Sequence, residues 1–254
     1  MNFLELFKRP FLIGAHRGSR SLRPENTLSA LKKSIGHCDF IEIDIQLSKD
    51  KIPIVMHDDT LERTTNIKEL EAYKSRKPYK VSDFSYEELH TLDYGSWFYK
   101  DKIKPEPLLT LKNTLKFIKE NQLFINIEIK DMNNSFNDDE VVSLIVKEID
   151  ESNTKDLVLI SSFRHEYLTL LKETNSDIPT AALVENKHPK DLINYLKSLR
   201  VSAYNFNDEL VDKITVDKLK NSGFYVNIYT VNDPIRRQQL FDMGVNGVFS
   251  DYLE

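Results

Sequence analysis

Short apolar, strand-like runs alternate with stretches of helical periodicity along nearly the whole chain. The stretches between the runs are mostly amphipathic, as in 138–150, where Val141, Ile145 and Ile149 fall on one face of a helix. Strand–helix alternation of this kind predicts a parallel sheet covered by helices. The candidate strands are 11–16, 40–46, 52–57, 124–130, 157–162, 180–185, 202–206, 224–230 and 247–250.

The length fits either two small domains or one closed barrel. A (β/α)8 TIM barrel typically needs about 250 residues, and the chain has 254. Nine candidate strands are one too many for such a barrel, so one of them must be irregular. A doubly wound open sheet is the alternative, but Gly14-Ala15-His16-Arg17-Gly18 lacks the spacing of a dinucleotide-binding loop. We therefore predict an α/β fold, a (β/α)8 TIM barrel, with residues 1–254 as a single domain.

Residues 58–107 interrupt the alternation. They are polar and aromatic, and only a weak helical segment lies among them, around Glu87 to Leu92. Fifty residues without clear strands are too many for a plain loop in a compact domain. We predict that they form a small insertion after the third strand, packed over one end of the barrel.

Charge and composition exclude several classes of protein. The net charge of −5 disfavours general nucleic-acid binding, which usually needs a basic face. No apolar run is long enough for a membrane span, and the acid Glu5 makes the start a poor signal peptide. Cys38 is the sole cysteine, so no internal disulfide can form and the cytoplasm is the expected location. The sequence gives no indication of an oligomeric state.

One predicted strand carries two acids among isoleucines, Phe40-Ile41-Glu42-Ile43-Asp44-Ile45. Because side chains alternate along a strand, Glu42 and Asp44 point to the same face. Two carboxylates in an apolar setting repel each other and lose hydration unless a cation lies between them. The pattern therefore indicates a metal site. Two exposed acids on an edge strand are the alternative, which the flanking apolar residues disfavour.

Two histidines stand where predicted strands end. His16 follows the run 11–15, and His57 follows the run 52–56. In TIM barrels the carboxyl ends of the strands face the active site. A structural hydrogen-bonding role explains each histidine equally well when it is considered alone. Together with the acids, they indicate hydrolytic chemistry.

The residues after His16 also permit a structural interpretation. Arg17 fits the role of a surface ion-pair partner. Asn26 is placed to cap a helix that begins near Thr27. Capping alone would explain that segment.

A later strand, Asn126-Ile127-Glu128-Ile129-Lys130, repeats the spacing of two. Glu128 and Lys130 point together between isoleucines. An internal ion pair is the structural explanation. The functional explanation makes Glu128 a third metal ligand and Lys130 a phosphate contact, and it is favoured by the position of all these residues at strand ends.

Ten short segments follow one another along the chain in a recognisable order. They are His16-Arg17-Gly18, Pro24-Glu25-Asn26-Thr27, Ile41-Glu42-Ile43-Asp44, His57-Asp58, Arg63-Thr64-Thr65-Asn66, Gly95-Ser96-Trp97-Phe98, Asn126-Ile127-Glu128-Ile129-Lys130, Ser161-Ser162-Phe163, Thr230-Val231-Asn232 and Asp251. In this combination the chain resembles the glycerophosphodiester phosphodiesterase family. The resemblance covers nearly the whole chain, and the set of motifs is highly specific.

The resemblance implies a (β/α)8 barrel with an insertion. It also implies metal-dependent hydrolysis of a small glycerophosphodiester to sn-glycerol 3-phosphate and an alcohol, with one divalent cation, Mg2+ or Ca2+, as cofactor. The residues that match the family's functional positions are Glu42, Asp44 and Glu128 as metal ligands, His16 and His57 as the acid–base pair, and Arg17 and Lys130 as phosphate contacts.

The implied chemistry is physically consistent. A hard cation held by carboxylates acts as a Lewis acid on a phosphodiester oxygen. One histidine accepts a proton from the nucleophile while the other donates one to the leaving alcohol. We assign His16 as the base and His57 as the acid, and the reverse order stays open. The nucleophile is either water or the glycerol 2-hydroxyl, which would give a cyclic phosphate that water then opens.

Several positions depart from the family pattern. Lys112-Asn113 replace acids after Leu111, on what we expect to be an outer helix face. Tyr229 stands where similar members often have Trp before Thr-Val-Asn, so we expect it to contact the substrate with different stacking. Lys51 follows Asp50 where a turn glycine is common, which should affect only the turn.

Two other functions are the alternatives. A lysophospholipase D-type hydrolase would keep the same catalytic groups and use Trp97, Phe98 and Tyr99 as an apolar wall for a lipid tail. A catalytically silent barrel that binds sugar phosphates would have lost a metal ligand or a histidine, and all of them are present in the sequence.

Overall fold

The framework of the protein is a β-sheet. The computed structural model describes residues 2–100, 102–174 and 177–253. Positions 1, 175, 176 and 254 of the predicted domain and position 101 of the predicted insertion therefore lie outside the described residues. Within the described part, the strands are β1 Leu12–Ala15, β2 Phe40–Leu47, β3 Pro53–Val55, β4 Ile125–Ile129, β5 Val158–Ser162, β6 Thr180–Val184, β7 Ala203–Asn207, β8 Tyr225–Tyr229 and β9 Gly247–Ser250.

Eight of these strands close into a parallel barrel. The hydrogen-bonded order is β1-β9-β8-β7-β6-β5-β4-β2, and β1 also pairs with β2. At the point of closure, Gly14 is in register with Phe40 on one side and with Phe249 on the other. The predicted (β/α)8 TIM barrel is confirmed, and the open-sheet alternative is wrong because a doubly wound sheet has two free edges.

The irregular ninth strand is β3, which runs antiparallel to β2 with Ile45 opposite Val55. Only residues 48–52 connect the two strands. A parallel partner would need a crossover of about a dozen residues or more, so a connection this short can form only a hairpin. Lys51 lies in this turn with a φ of 65°, the left-handed conformation that a glycine would adopt more readily.

Helices follow most of the barrel strands and cover the outside of the sheet. The α-helices are α1 Phe3–Leu6, α2 Leu28–Ser34, α3 Tyr86–His90, α4 Leu111–Asn121, α5 Asp138–Ser152, α6 His165–Thr174, α7 Leu192–Ser198, α8 Lys213–Asn221 and α9 Pro234–Asp242. The 3-10 helices are Ile67–Glu69, Glu71–Arg76, Val81–Asp83, Ser96–Tyr99, Lys155–Leu157 and Asp208–Leu210. Among the described residues, no helix combines the length and apolar character needed to cross a membrane.

The predicted helix at 138–150 is present as α5, with Val141, Ile145 and Ile149 buried against the sheet. The predicted cap of the earlier helix is wrong. Thr27, not Asn26, caps α2, because its hydroxyl accepts a hydrogen bond from the Ala30 amide at 3.3 Å. Asn26 has a φ of 58° and turns its side chain inward to Asp44.

The segment 58–107 has a hydrophobic cluster of its own. Leu61, Tyr79 and Phe84 are buried there with Ile54 of β3 and with Leu108. Four of the 3-10 helices and α3 lie in this segment. Its description as an insertion within one domain stays a prediction.

The amino-terminal end of the barrel is closed by aromatic rings. Phe3 of α1 packs edge-on against Phe40 at 5.7 Å and Phe124 at 5.6 Å between ring centroids. Phe40 in turn meets Phe249 at 5.4 Å. Because this end is apolar and filled, polar chemistry is confined to the opposite end, where the strands finish.

Gly14 tests this packing, since a Cβ at that position would overlap the Phe40 ring. We expect Gly14→Ala to destabilise the protein by about 1–3 kcal/mol, the usual cost of overpacking a core, because neighbouring rings prevent Phe40 from moving aside. Urea denaturation measures the change. Phe40→Leu in the Gly14→Ala background should recover part of the loss, and an unchanged stability in Gly14→Ala would contradict this account.

Candidate active site

Three carboxylates meet at the carboxyl end of the barrel. Glu42 and Asp44 extend inward from β2, and the register pairs Asp44 with Glu128 on β4. One ligand oxygen from each residue lies within 4.8 Å of the others. Glu42 is only 3% exposed and Asp44 only 1%. The same-face arrangement expected from the spacing of two is therefore present, and the structure brings all three acids together.

The electrostatic state of the three acids follows from their burial. Burial, together with the charges of Asp44 and Glu128, raises the pKa of Glu42 well above its usual range. Burial also raises the pKa of Glu128, assisted by the charge of Asp44. For Asp44 the burial effect is outweighed by Lys130, Arg17 and other partners, so its pKa is lowered. Glu42 and Glu128 are therefore harder to ionise than free glutamates, whereas Asp44 is easier to ionise than a free aspartate.

Two cationic side chains border the cluster. The Lys130 Nζ donates to Glu128 Oε1 at 2.6 Å and lies 3.5 Å from Asp44 Oδ1. The Arg17 backbone N–H donates to Glu42 Oε2 at 2.7 Å, and its Nε lies 3.4 Å from Asp44 Oδ2. Both predicted phosphate-contacting residues are therefore placed beside the acids. The Asn26 amide completes the shell by donating to Asp44 Oδ2 at 2.8 Å.

The donor set suits a hard divalent cation. Converging carboxylate oxygens, without sulfur or imidazole, are the ligands that Mg2+ and Ca2+ prefer. A cation between them would also relieve the mutual repulsion that raises the pKa of Glu42. The residues present therefore fit one divalent cation.

His16 is held by an acid from the far end of the chain. Its Nδ1 lies 2.7 Å from Asp251 Oδ1. Asn232 steadies this acid by donating to Asp251 Oδ2 at 2.9 Å. Burial lowers the pKa of His16 and, with the charge of Arg17, outweighs the hydrogen bond from Asp251. His16 is consequently neutral at pH 7.

His57 has a similar arrangement with its neighbour in sequence. Its Nδ1 lies 2.6 Å from Asp58 Oδ1. Arg63 donates to both oxygens of Asp58, from Nε at 2.6 Å and from Nη2 at 2.9 Å. The Gln46 amide donates to the backbone carbonyls of His57, at 3.2 Å, and Asp58, which anchors this loop to β2.

Both histidines therefore present the same nitrogen for chemistry. Burial favours the neutral form of Asp251, but its hydrogen bond to His16 and other partners lower its pKa to about 2. Burial likewise favours the neutral form of Asp58, but hydrogen bonds from His57 and Arg63 outweigh it and lower the pKa of Asp58. An ionised carboxylate only accepts hydrogen bonds, so the Nδ1 atom of each ring carries a proton. The Nε2 atom of each ring is left to take up or release a proton.

A cavity of about 470 Å³ joins these groups. The residues around it come from the ends of strands in both halves of the barrel. They are His16, Arg17, Glu42, His57, Asn126, Glu128, Lys130, Ser161, Phe163, Leu183, Glu185, Asn207, Tyr229, Thr230 and Phe249. Every predicted site residue lies on this cavity except Asp44, which is buried directly behind it.

Tyr229 contributes to the wall formed by β5 to β8. Its hydroxyl donates to the Val184 carbonyl at 2.6 Å and lies 3.0 Å from Glu185 Oε2. Its ring meets Phe163 edge-on, with centroids 6.0 Å apart. The hydroxyl is thus occupied by protein partners, and the ring is what borders the cavity.

Several functional candidates were not predicted from the sequence. Glu185 and Asn207 lie in no motif, and only their positions after β6 and at the end of β7 could have indicated them. Phe163, Asp251 and Glu25 lie within the recognised motifs, but nothing local shows which groups they contact. Conversely, Trp97, Phe98 and Tyr99 are not among the residues that line the described cavity.

Comparison with known proteins agrees with this geometry. The model of the Glycerophosphoryl diester phosphodiesterase family matches residues 16–254. The chain belongs to the glycerophosphoryl diester phosphodiesterase family.

Individual relatives support the assignment over more than nine-tenths of the chain. A glycerophosphodiester phosphodiesterase of Bacillus altitudinis is 32% identical over 245 residues, covering 94% of each chain. Another, of Caldanaerobacter subterraneus, is 31% identical over 248 residues and covers 94% of this chain and 93% of the relative. An Oleispira antarctica phosphodiesterase, solved in complex with the product sn-glycerol-3-phosphate, superimposes with a TM-score of 0.86 at 28% identity, over 97% of this chain and 95% of its own.

We expect Mg2+ or Ca2+ to raise the melting temperature, because a cation would bind the folded carboxylate cluster and not the unfolded chain. At about 100 times its Kd such a ligand adds about 2.7 kcal/mol, equivalent to roughly 5–10 °C for a chain of this size. Differential scanning fluorimetry with and without EDTA measures the shift. Glu128→Gln should abolish it, whereas Asp138→Asn, outside the cavity, should retain it. A wild type insensitive to both metals would rule out the cation site.

Proposed function

We propose that this protein hydrolyses glycerophosphodiesters to sn-glycerol 3-phosphate and an alcohol, using one divalent cation, Mg2+ or Ca2+. The observation that carries the proposal is that two histidine–aspartate pairs, the cationic side chains of Arg17 and Lys130, and three carboxylates meet around one cavity. The names of the relatives point the same way, as does the product bound to the Oleispira antarctica enzyme.

Arg17 and Lys130 bind the phosphate in this proposal. Both side chains are mostly buried and line the cavity. Burial lowers the pKa of Lys130, but the charges of Asp44 and Glu128 more than compensate, so its pKa is raised and it stays protonated. A fixed ammonium and a guanidinium therefore face a phosphodiester that carries one negative charge.

Glu42, Asp44 and Glu128 would hold the cation. When bound, it supplies Lewis-acid stabilisation of the charge that develops on a non-bridging phosphate oxygen. Lys130 then complements it, because its Nζ reaches the edge of the same carboxylate cluster.

The histidines divide the proton transfers. His16 is the base, since its lowered pKa leaves Nε2 unprotonated at neutral pH. His57 is the acid: in its imidazolium form it donates the Nε2 proton to the leaving alcohol and becomes the neutral ring, with Nδ1–H still held by Asp58. The aspartates orient the rings and stabilise the imidazolium form that arises in turn. Water and the glycerol 2-hydroxyl both suit a base at this position.

The wall of Phe163 and Tyr229 borders the part of the substrate that extends from the phosphate towards β5–β8. Tyr229 offers its ring there, because its hydroxyl is engaged by Val184 and Glu185. Trp97, Phe98 and Tyr99 instead pack against one another, with ring centroids 5.8 and 5.1 Å apart. A lipid-tail wall at those three residues is not supported by the cavity, so we favour small diesters over lysophospholipids.

Purified protein should release sn-glycerol 3-phosphate from glycerophosphocholine in the presence of Mg2+ or Ca2+. EDTA should abolish release and added metal should restore it, because the carboxylates alone cannot stabilise the developing charge. An enzyme-coupled assay for glycerol 3-phosphate measures turnover, with lysophosphatidylcholine as the comparison substrate. Faster turnover of lysophosphatidylcholine would favour the lysophospholipase alternative. Tight binding of glycerol phosphate without any turnover would favour the silent barrel.

Removal of either histidine should reduce kcat by roughly 10²–10⁴, the usual contribution of a general acid or base. His16→Ala and His57→Ala are each compared with His37→Ala, an exposed histidine away from the cavity. The control should retain wild-type turnover, and circular dichroism should show that all three variants fold. Near-normal activity in both cavity variants would refute the acid–base assignment.

A further inference from the structure

Glu25 is a buried acid between β1 and α2 that the proposed chemistry does not use. Its side chain is 3% exposed. Four contacts from guanidinium groups surround the carboxylate. Arg17 Nη1 lies 2.9 Å and Arg63 Nη2 2.7 Å from Oε1, while Arg63 Nη1 lies 3.0 Å and Arg20 Nη2 3.1 Å from Oε2. These contacts occupy the acceptor positions that a carboxylate offers.

One arm of this network leads to His16. Arg20 contacts Glu25 through Nη2 and lies 3.6 Å from Asp251 Oδ1 through Nη1. Asp251 holds the Nδ1 of His16. Glu25 is therefore two side chains away from the proposed base.

A second arm leads to His57. Arg63 donates to Glu25 and, from the same guanidinium, to both oxygens of Asp58. Asp58 holds the Nδ1 of His57. The Glu25 carboxylate is thus connected to both histidine–aspartate pairs, through one arginine in each case.

We propose that Glu25 is a positioning residue that sets the orientation of both histidines at once, through Arg20 and Asp251 on one side and Arg63 and Asp58 on the other. This inference rests on the proposed function. Three acids, Glu25, Asp58 and Asp251, alternate along the network with Arg20 and Arg63. Each guanidinium is shared, so a change at Glu25 is transmitted to both rings.

The charge of Glu25 is what fixes the arginines. Burial raises its pKa, but hydrogen bonds from Arg63 and the charges of Arg17 and Arg20 outweigh that effect and lower it. A glutamine would present an amide N–H group to guanidinium groups that can only donate. Arg20 and Arg63 would then turn away from residue 25 and carry Asp251 and Asp58 with them.

Glu25→Gln should therefore lower kcat by about 10- to 100-fold, the range found when a partner that orients a metal ligand is lost, because Glu25 orients the histidines in the same indirect way. Asp138→Asn is the matched control, because Asp138 also accepts a bidentate pair from an arginine: Arg164 donates from Nε to Oδ1 at 3.0 Å and from Nη2 to Oδ2 at 2.7 Å. That control should keep wild-type kcat. Turnover of glycerophosphocholine by the wild type tests the proposed function separately.

The two arms can be tested individually with Arg20→Gln and Arg63→Gln, at side chains that are 26% and 40% exposed and so tolerate change better than Glu25. Each is measured in the wild type, in His16→Ala and in His57→Ala. Effects of residues that act as one unit do not add. Arg20→Gln should lower kcat in the wild type and in His57→Ala but by less than about threefold in His16→Ala. Arg63→Gln should lower kcat in the wild type and in His16→Ala but by less than about threefold in His57→Ala.

Independent structural roles would give a different result. If the arginines and Glu25 only stabilise the fold, each substitution will lower kcat by the same factor in every background, in parallel with melting temperature. If Glu25 serves only Arg17 and phosphate binding, KM will rise while kcat stays unchanged. Either outcome overturns the proposal, even where the wild type hydrolyses its substrate.

Discussion

The mutual repulsion of three converging carboxylates, two buried and one partly exposed to the cavity, is the interaction on which the site depends. Glu42, Asp44 and Glu128 converge because strand register leaves them no other direction. Burial magnifies their repulsion, since water cannot screen it. The surrounding cations, Arg17 and Lys130, relieve only part of it, and in the proposed mechanism a divalent cation supplies the remainder. The groups that hold the acids in place are therefore also suited to bind a phosphate.

Most of the fold could be predicted from the sequence because its signals are local. Apolar runs separated by amphipathic helices indicate a parallel sheet, and no end of a described strand differs from the predicted one by more than two residues. The irregular strand can be identified only from the length of the connection between β2 and β3. Residues 48–52 are too few for the crossover that a parallel β3 would need. The role of Asn26 could not be predicted because Asn26 and Thr27 are both residue types that cap helices, and only the inward turn of Asn26 towards Asp44 distinguishes them.

The candidate site was predictable only in part, for the same reason. Acids spaced by two on one strand reveal their shared face without any tertiary information. The partners that orient the histidines cannot be recognised without tertiary information. Asp251 meets His16 only when the barrel closes, and Glu25 meets Arg63 across a gap of 38 positions. The aromatic triplet at 97–99 illustrates the converse, since its rings pack against one another and are not among the residues that line the described cavity.

The contact between His16 and Asp251 links the first barrel strand to the residue that follows the last one. They are 235 positions apart, and β1 and β9 must pair before the two side chains can meet. A partly folded chain with an open β1 edge therefore has its carboxylates on β2 but no oriented imidazole at residue 16. The proposed base is therefore correctly oriented only after the barrel has closed.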